Sequence, residues 1–131
     1  MNKAAILCVD DEKIILDSLK QQLKLNFGQR FLYETAESAN EALEIIEELE
    51  EERIRLIVIV SDWLMPGMKG DEFLVQVHQR FPDVVTILLS GQADPASIER
   101  ALVEANLHCF LCKPWREKDL ITAINSGLEK L

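Results

Sequence analysis

The sequence predicts an α/β fold, a five-stranded parallel doubly wound sheet with helices on both faces. Three observations predict it. Apolar runs with no polar face recur at residues 4–9, 56–60 and 84–89, as expected of strands buried on both sides. Amphipathic helical stripes lie between them. Chemically competent polar residues gather just beyond the carboxyl ends of the runs, where open α/β sheets bind ligands.

The elements follow in order. Residues 4–9 form strand one. The run meets Asp10-Asp11-Glu12 too soon to be a signal-peptide core, and a buried strand accounts for it. Leu16, Leu19 and Leu23 share one stripe of helix one. Residues 31–36 give strand two a fainter pattern. Ser38 with Glu41 forms a capping box that opens helix two, whose stripe is Ala39, Leu43 and Ile46. Its acidic tail, residues 47–52, reads as a solvated face. Strand three is 56–60. Gly70-Asp71-Glu72 places acids in the first turn of helix three, where the dipole favours them, ahead of Phe73, Val77 and Phe81. Strand four is 84–89. Asp94-Pro95 supplies an N-cap and a first-turn proline for helix four, with Ile98, Ala101, Leu102 and Ala105 on its stripe. Strand five spans 107–112, and Leu120, Ile124 and Leu128 mark helix five.

Bulk properties narrow the function. A chain of 131 residues suits one domain, 1–131, with its own core. Hydrophobic residues make up 48% and charged residues 28%, a globular balance. The net charge of −9 opposes direct contact with nucleic acid or an anionic membrane. No run reaches the roughly 18 apolar residues of a membrane span. Three cysteines, an odd number without secretory features, point to a reducing, cytoplasmic setting.

After strand one come Asp10, Asp11 and Glu12; after strand three, Asp62; after strand four, Ser90 and Gly91; after strand five, Lys113 and Pro114. In the flavodoxin-like strand order 2-1-3-4-5, strands one and three are neighbours at the topological switch point, so Asp10, Asp11 and Asp62 converge. Such a cluster repels itself unless a cation neutralises it, and a hard divalent ion such as Mg²⁺ suits oxygen ligands. Ser90 and Lys113 can hold an anion beside it. Together these groups make a phosphoryl-transfer site. Taken singly each has an ordinary reading: an N-cap for Asp10 or Asp11, a turn cap for Asp62, a loop start for Ser90-Gly91, a surface lysine for Lys113. Their conjunction at four of five strand ends singles them out.

The motifs Leu7-Cys8-Val9-Asp10-Asp11-Glu12, Val60-Ser61-Asp62-Trp63-Leu64-Met65-Pro66-Gly67-Met68-Lys69-Gly70, Leu89-Ser90-Gly91 and Cys112-Lys113-Pro114-Trp115 resemble, in order, those of the CheY-like receiver domains of two-component response regulators. The resemblance implies that Asp62 accepts a phosphoryl group from a histidine kinase. It implies that Asp11, Asp62 and the Leu64 backbone carbonyl ligate Mg²⁺, with Asp10 acting through water. Lys113, Ser90 and Gly91 would bind the phosphate, and Ser90 with Phe110 would form the switch. Lys113-Pro114 would be a cis peptide. The kinase or a phosphotransfer protein would dock near helix one, around Ile14, Ile15 and Ser18. A downstream output domain or protein would meet helix four, strand five and helix five, and a homodimer is a separate option with no surface assigned. Such a domain is not an enzyme on other substrates; it catalyses only its own phosphorylation and dephosphorylation. Leu64 and Gln92 stand where the family tunes acyl-phosphate hydrolysis.

Other signals carry less. Cys109-Phe110-Leu111-Cys112 beside His108 resembles a metal pair, but strand alternation sends the two cysteines to opposite faces and no second pair completes a zinc site; buried cysteines explain them. His78 reads as surface decoration late in a helix. Trp63 and Trp115 are either partner anchors or packing over the sheet edge. The rival functions are a docking-only pseudo-receiver and an aspartate-nucleophile phosphatase. The second would carry its nucleophile in an Asp-x-Asp after strand one and its acidic metal ligands last; here the acid pair comes first, and the chain is short. A flavodoxin-like cofactor binder fails because Asp10-Asp11-Glu12 would repel phosphate.

Overall fold

The computed structural model describes residues 3–92 and 94–131. In chain order the elements are β1 (Ala4–Val9), α1 (Lys13–Phe27), β2 (Phe31–Ala36), α2 (Ala39–Glu51), β3 (Arg55–Asp62), α3 (Gly70–Arg80), β4 (Val85–Ser90), α4 (Pro95–Glu104), β5 (Cys109–Cys112) and α5 (Glu117–Leu128). A 3₁₀ turn, Gly28–Arg30, links α1 to β2. All four strand pairings are parallel, and the order is β2-β1-β3-β4-β5. The predicted α/β doubly wound topology is therefore the observed one.

Two apolar layers sandwich the sheet. Ile6, Cys8, Val58, Val60, Ile87 and Leu89 point to one side, where Leu16, Leu19 and Leu23 of α1 and Leu120 and Ile124 of α5 cover them. Ala5, Leu7, Val9, Ile59 and Leu88 point to the other, under Ile46 of α2, Phe73 and Val77 of α3 and Ala101 of α4. Period-two alternation on each strand feeds both layers, which is why the strands look continuously apolar in sequence. Each fully buried Leu or Ile contributes roughly 1.5–3 kcal/mol.

Local signals act as read at several ends. The Ser38 hydroxyl accepts the Glu41 N–H at 3.1 Å, and Asp94 Oδ1 accepts that of Ser97 at 2.8 Å. Four expectations shift. β3 and β4 run on to Asp62 and Ser90, so both residues end their strands rather than follow them. β5 begins at Cys109, not residue 107, because Asn106 adopts φ 50° and the Leu107 N–H closes back onto the Ala101 carbonyl at 3.0 Å, ending α4. On α2 the buried positions are Ala39, Ala42, Ile46 and Leu49, with Leu43 only half-buried. Leu102 is 51% exposed, since α4 seats itself through Ala101.

Candidate functional site

The ends of β1, β3, β4 and β5 deliver the site. Residue Asp10 follows β1 directly, and its N–H donates to the Ala36 carbonyl at 3.1 Å, extending the β1–β2 ladder by one residue. The Asp10 carboxylate is fully buried. Both of its oxygens are engaged: Oδ1 accepts the Glu12 N–H at 2.8 Å, and Oδ2 accepts from Lys113 Nζ at 2.7 Å. The same ammonium lies 3.1 Å from Asp62 Oδ1. Asp62 is 5% exposed and Ser90 2%, whereas Asp11 is exposed. Carboxylate oxygens of Asp10, Asp11 and Asp62 lie within 4.8 Å of one another. Asp11, Asp62, Leu64, Ser90, Gly91 and Lys113 line a cavity of about 620 Å³ above them.

Electrostatics follow from this packing. Burial pushes the Asp62 carboxyl up, the nearby Asp10 charge pushes it further, and Lys113 pulls back only in part. For Lys113, burial alone would lower the ammonium's pKa, but its bonds and charge attraction to Asp10 and Asp62 outweigh burial and raise it. Three carboxylates face one ammonium, so two negative charges stay unbalanced. A hard dication with oxygen ligands fits that donor set.

The remaining predicted residues sit as follows. Ser90 Oγ accepts the Gln92 N–H at 3.1 Å. Gly91 is exposed, and a Cβ there would make only ordinary contacts, with the Lys113 carbonyl oxygen at 3.6 Å and the Lys113 Cβ at 3.9 Å, so the backbone does not demand glycine. Phe110 is half-buried against the α2–α3–α4 layer and pairs in register with Leu88, two residues back from the site. The Lys113–Pro114 peptide is cis. The Leu64 side chain is 46% exposed. Ile14 is 76% exposed on α1, with Ile15 and Ser18 half-buried beside it.

Three secondary readings change. Among the cysteines only Cys8 is buried; Cys109 is half-buried and Cys112 exposed, because β5 is an edge strand. Residue His78 is half-buried, with an enclosed Nδ1 that has no partner among the described residues, since α3 buries a wider face than one stripe. The tryptophans resolve into packing: Trp115 Nε1 donates to Gln22 Oε1 at 2.8 Å, and Trp63 is buried, donating to Asp71 Oδ1 at 3.1 Å. Sequence reasoning missed this Trp63–Asp71 pair. Its one signal, an acid in the first turn of α3, also fits an ordinary dipole role.

Comparison with known proteins agrees with the geometry. The chain is 34% identical over 127 residues to the hydrogenase transcriptional regulatory protein HoxA of Cupriavidus necator, covering 97% of this chain but 24% of that relative. The chain thus spans about a quarter of that regulator's length. A signal receiver domain of an HD domain-containing protein from Pseudomonas fluorescens Pf-5 superposes with a TM-score of 0.87 at 29% identity, covering 98% of this chain and 97% of the other. A CheY-like receiver domain protein from Methanospirillum hungatei JF-1 gives 0.85 at 30%, covering 98% and 96%. Residues 6–125 match the response regulator receiver domain, and the chain therefore belongs to that family, the receivers of two-component signalling.

Proposed function

We propose that residues 1–131 act as one phosphoacceptor unit in which Asp62 takes a phosphoryl group from a phosphohistidine. The observation that carries this reading is the convergence of three carboxylates within 4.8 Å, with the Lys113 ammonium 3.1 Å from an Asp62 oxygen. Asp11, Asp62 and the Leu64 carbonyl would hold Mg²⁺, with Asp10 reached through water. When bound, the ion neutralises charge on the phosphoryl oxygens.

The chain's own residues do the rest. An Asp62 carboxylate oxygen attacks phosphorus in line. The new O–P bond forms as the bond from phosphorus to the donor imidazole nitrogen breaks, and the imidazole leaves with that electron pair. Lys113 supplies a compact positive charge to the phosphoryl oxygens. Ser90, already at the cavity wall, donates its hydroxyl to one of them once it gives up the Gln92 N–H. The product carries roughly two negative charges where the carboxylate carried one, a net gain of about one, which biases the position of the β4–α4 segment. Phe110 carries the change to the surface of α4, β5 and α5, where Leu102 and Val103 stand exposed for an output partner or a second copy. The donor protein docks over Ile14 of α1, beside the cavity. A charged cluster around a single reactive carboxylate suits self-phosphorylation and self-hydrolysis, not turnover of other substrates. We read the domain as cytoplasmic and free of direct nucleic-acid contact; the family and the acidic net charge support that reading.

Incubation with acetyl phosphate and Mg²⁺, followed by intact-mass measurement, tests the reading. The expected result is one phosphoryl adduct, absent from Asp62→Asn and from samples with chelator. A wild-type protein that stays unmodified, or an adduct that survives Asp62→Asn, would falsify it.

A further inference from the structure

Beyond the residues that line the cavity, Asp71 stands out. It is 4% exposed in the first turn of α3, while its neighbour Glu72 is exposed. A carboxylate that only complements a helix dipole does so best at the surface, and burying one costs more than the dipole returns. Something else must hold Asp71 inside. Its Oδ1 accepts the Trp63 indole N–H at 3.1 Å, and Trp63 is itself 6% exposed.

Trp63 is the residue between Asp62 and Leu64. It is tied at both backbone groups: its N–H donates to the Leu89 carbonyl at 3.3 Å, and its carbonyl accepts the Gly70 N–H at 2.7 Å. Lys69 Nζ lies 5.0 Å from its ring centroid. The loop from Trp63 to Gly70 is therefore closed at its base, and the Trp63–Asp71 bond is the side-chain cross-brace of that closure. Leu64, next after Trp63 in the loop, lines the cavity.

We propose that Asp71 is a positioning residue: through Trp63 it fixes the β3–α3 loop so that the Leu64 main-chain carbonyl stays at the cation site. This rests on the phosphoacceptor reading above. Partners one layer behind a metal ligand commonly change affinity by about tenfold or more when removed, because they set ligand orientation.

Isothermal titration calorimetry with Mg²⁺ on the whole chain, with a thermal melt of each protein, tests it. Asp71→Ala and Trp63→Phe both delete the hydrogen bond and are expected to bind Mg²⁺ about tenfold more weakly. Asp71→Asn keeps an acceptor oxygen but no charge and is expected to retain wild-type affinity. Because Trp63→Phe keeps a ring in the core, it answers the question even where Asp71→Ala does not fold. Wild-type Mg²⁺ affinity in Trp63→Phe or Asp71→Ala overturns the proposal. So does a loss in Asp71→Asn equal to that in Asp71→Ala, since charge at the helix start would then be the cause. A wild-type chain that binds no Mg²⁺ overturns the phosphoacceptor reading itself.

Discussion

Asp62→Asn in metal-free buffer is expected to stabilise the fold. The structure allows the balance to be worked. At an effective dielectric near 20, Asp62 and the buried Asp10, within 4.8 Å, repel by about 3.5 kcal/mol. Asp11 is exposed, so its repulsion at that distance falls to about 1 kcal/mol in water-like surroundings. The Lys113 ammonium at 3.1 Å returns about 5 kcal/mol. Attraction and repulsion nearly cancel, and the desolvation of a carboxylate only 5% exposed is left over. The raised pKa of Asp62 has the same sign. A carboxyl whose folded pKa exceeds its unfolded value near 3.8 favours the fold below that value and loses the advantage as pH rises through the folded pKa. At neutral pH the ionised group is therefore a cost. The amide removes the charge while its oxygen can still accept from Lys113. A gain of about 1–2 kcal/mol follows, or roughly 4–8 °C in Tm for a chain of this size. Differential scanning calorimetry at pH 7.5 with chelator reads it, and the gap should close on acidification. Adding Mg²⁺ should also narrow it, since a ligand at ten times its Kd stabilises the wild type by about 1.4 kcal/mol. A variant melting at or below the wild type without Mg²⁺ would refute the charge balance.

Gly70→Ala should destabilise the protein although alanine is the better helix former by about 1 kcal/mol. A Cβ at Gly70 would sit inside the contact distance of the Asp62 carbonyl oxygen and 2.9 Å from Trp63 Cα, and both are backbone atoms that cannot step aside. A loss of about 3 kcal/mol or more in a urea melt is expected, and equal stability would contradict the packing. Iodoacetamide should modify exposed Cys112 in the native protein and leave Cys8 untouched until unfolding, because burial pushes the Cys8 thiol up to about 12. Its contribution to stability is intact below pH 9.0 and is lost as pH climbs through that raised value; peptide mapping that finds native Cys8 alkylated as fast as Cys112 would count against its burial.

Element positions were legible where one local rule dominates. The Ser38 and Asp94 caps and the Leu16, Leu19 and Leu23 stripe needed no knowledge of the rest of the chain. Where two elements compete for the same residues, the reading slipped. Leu107 carries a strand's composition, yet its N–H serves the end of α4, and nothing local records that claim. Leu102 lies on the apolar stripe of α4 but outside the layer, because how a helix rolls on a sheet depends on neighbours distant in sequence. The Trp63–Asp71 bond was invisible for a related reason, since an acid at a helix start looks alike in sequence whether it caps, floats or braces.

The order and spacing of residues alone determined the doubly wound topology and which side chains stand at strand ends. Buried strands and amphipathic helices impose periods that survive in a linear string, and a parallel sheet sends all its carboxyl ends to one edge. Only the tertiary structure decided how those side chains share charge. Lys113 lies 103 residues from Asp10 along the chain, and its 2.7 Å contact exists because β5 and β1 end on the same rim. Coulomb energy and desolvation depend on distance and on what excludes water, and neither quantity is written along a sequence.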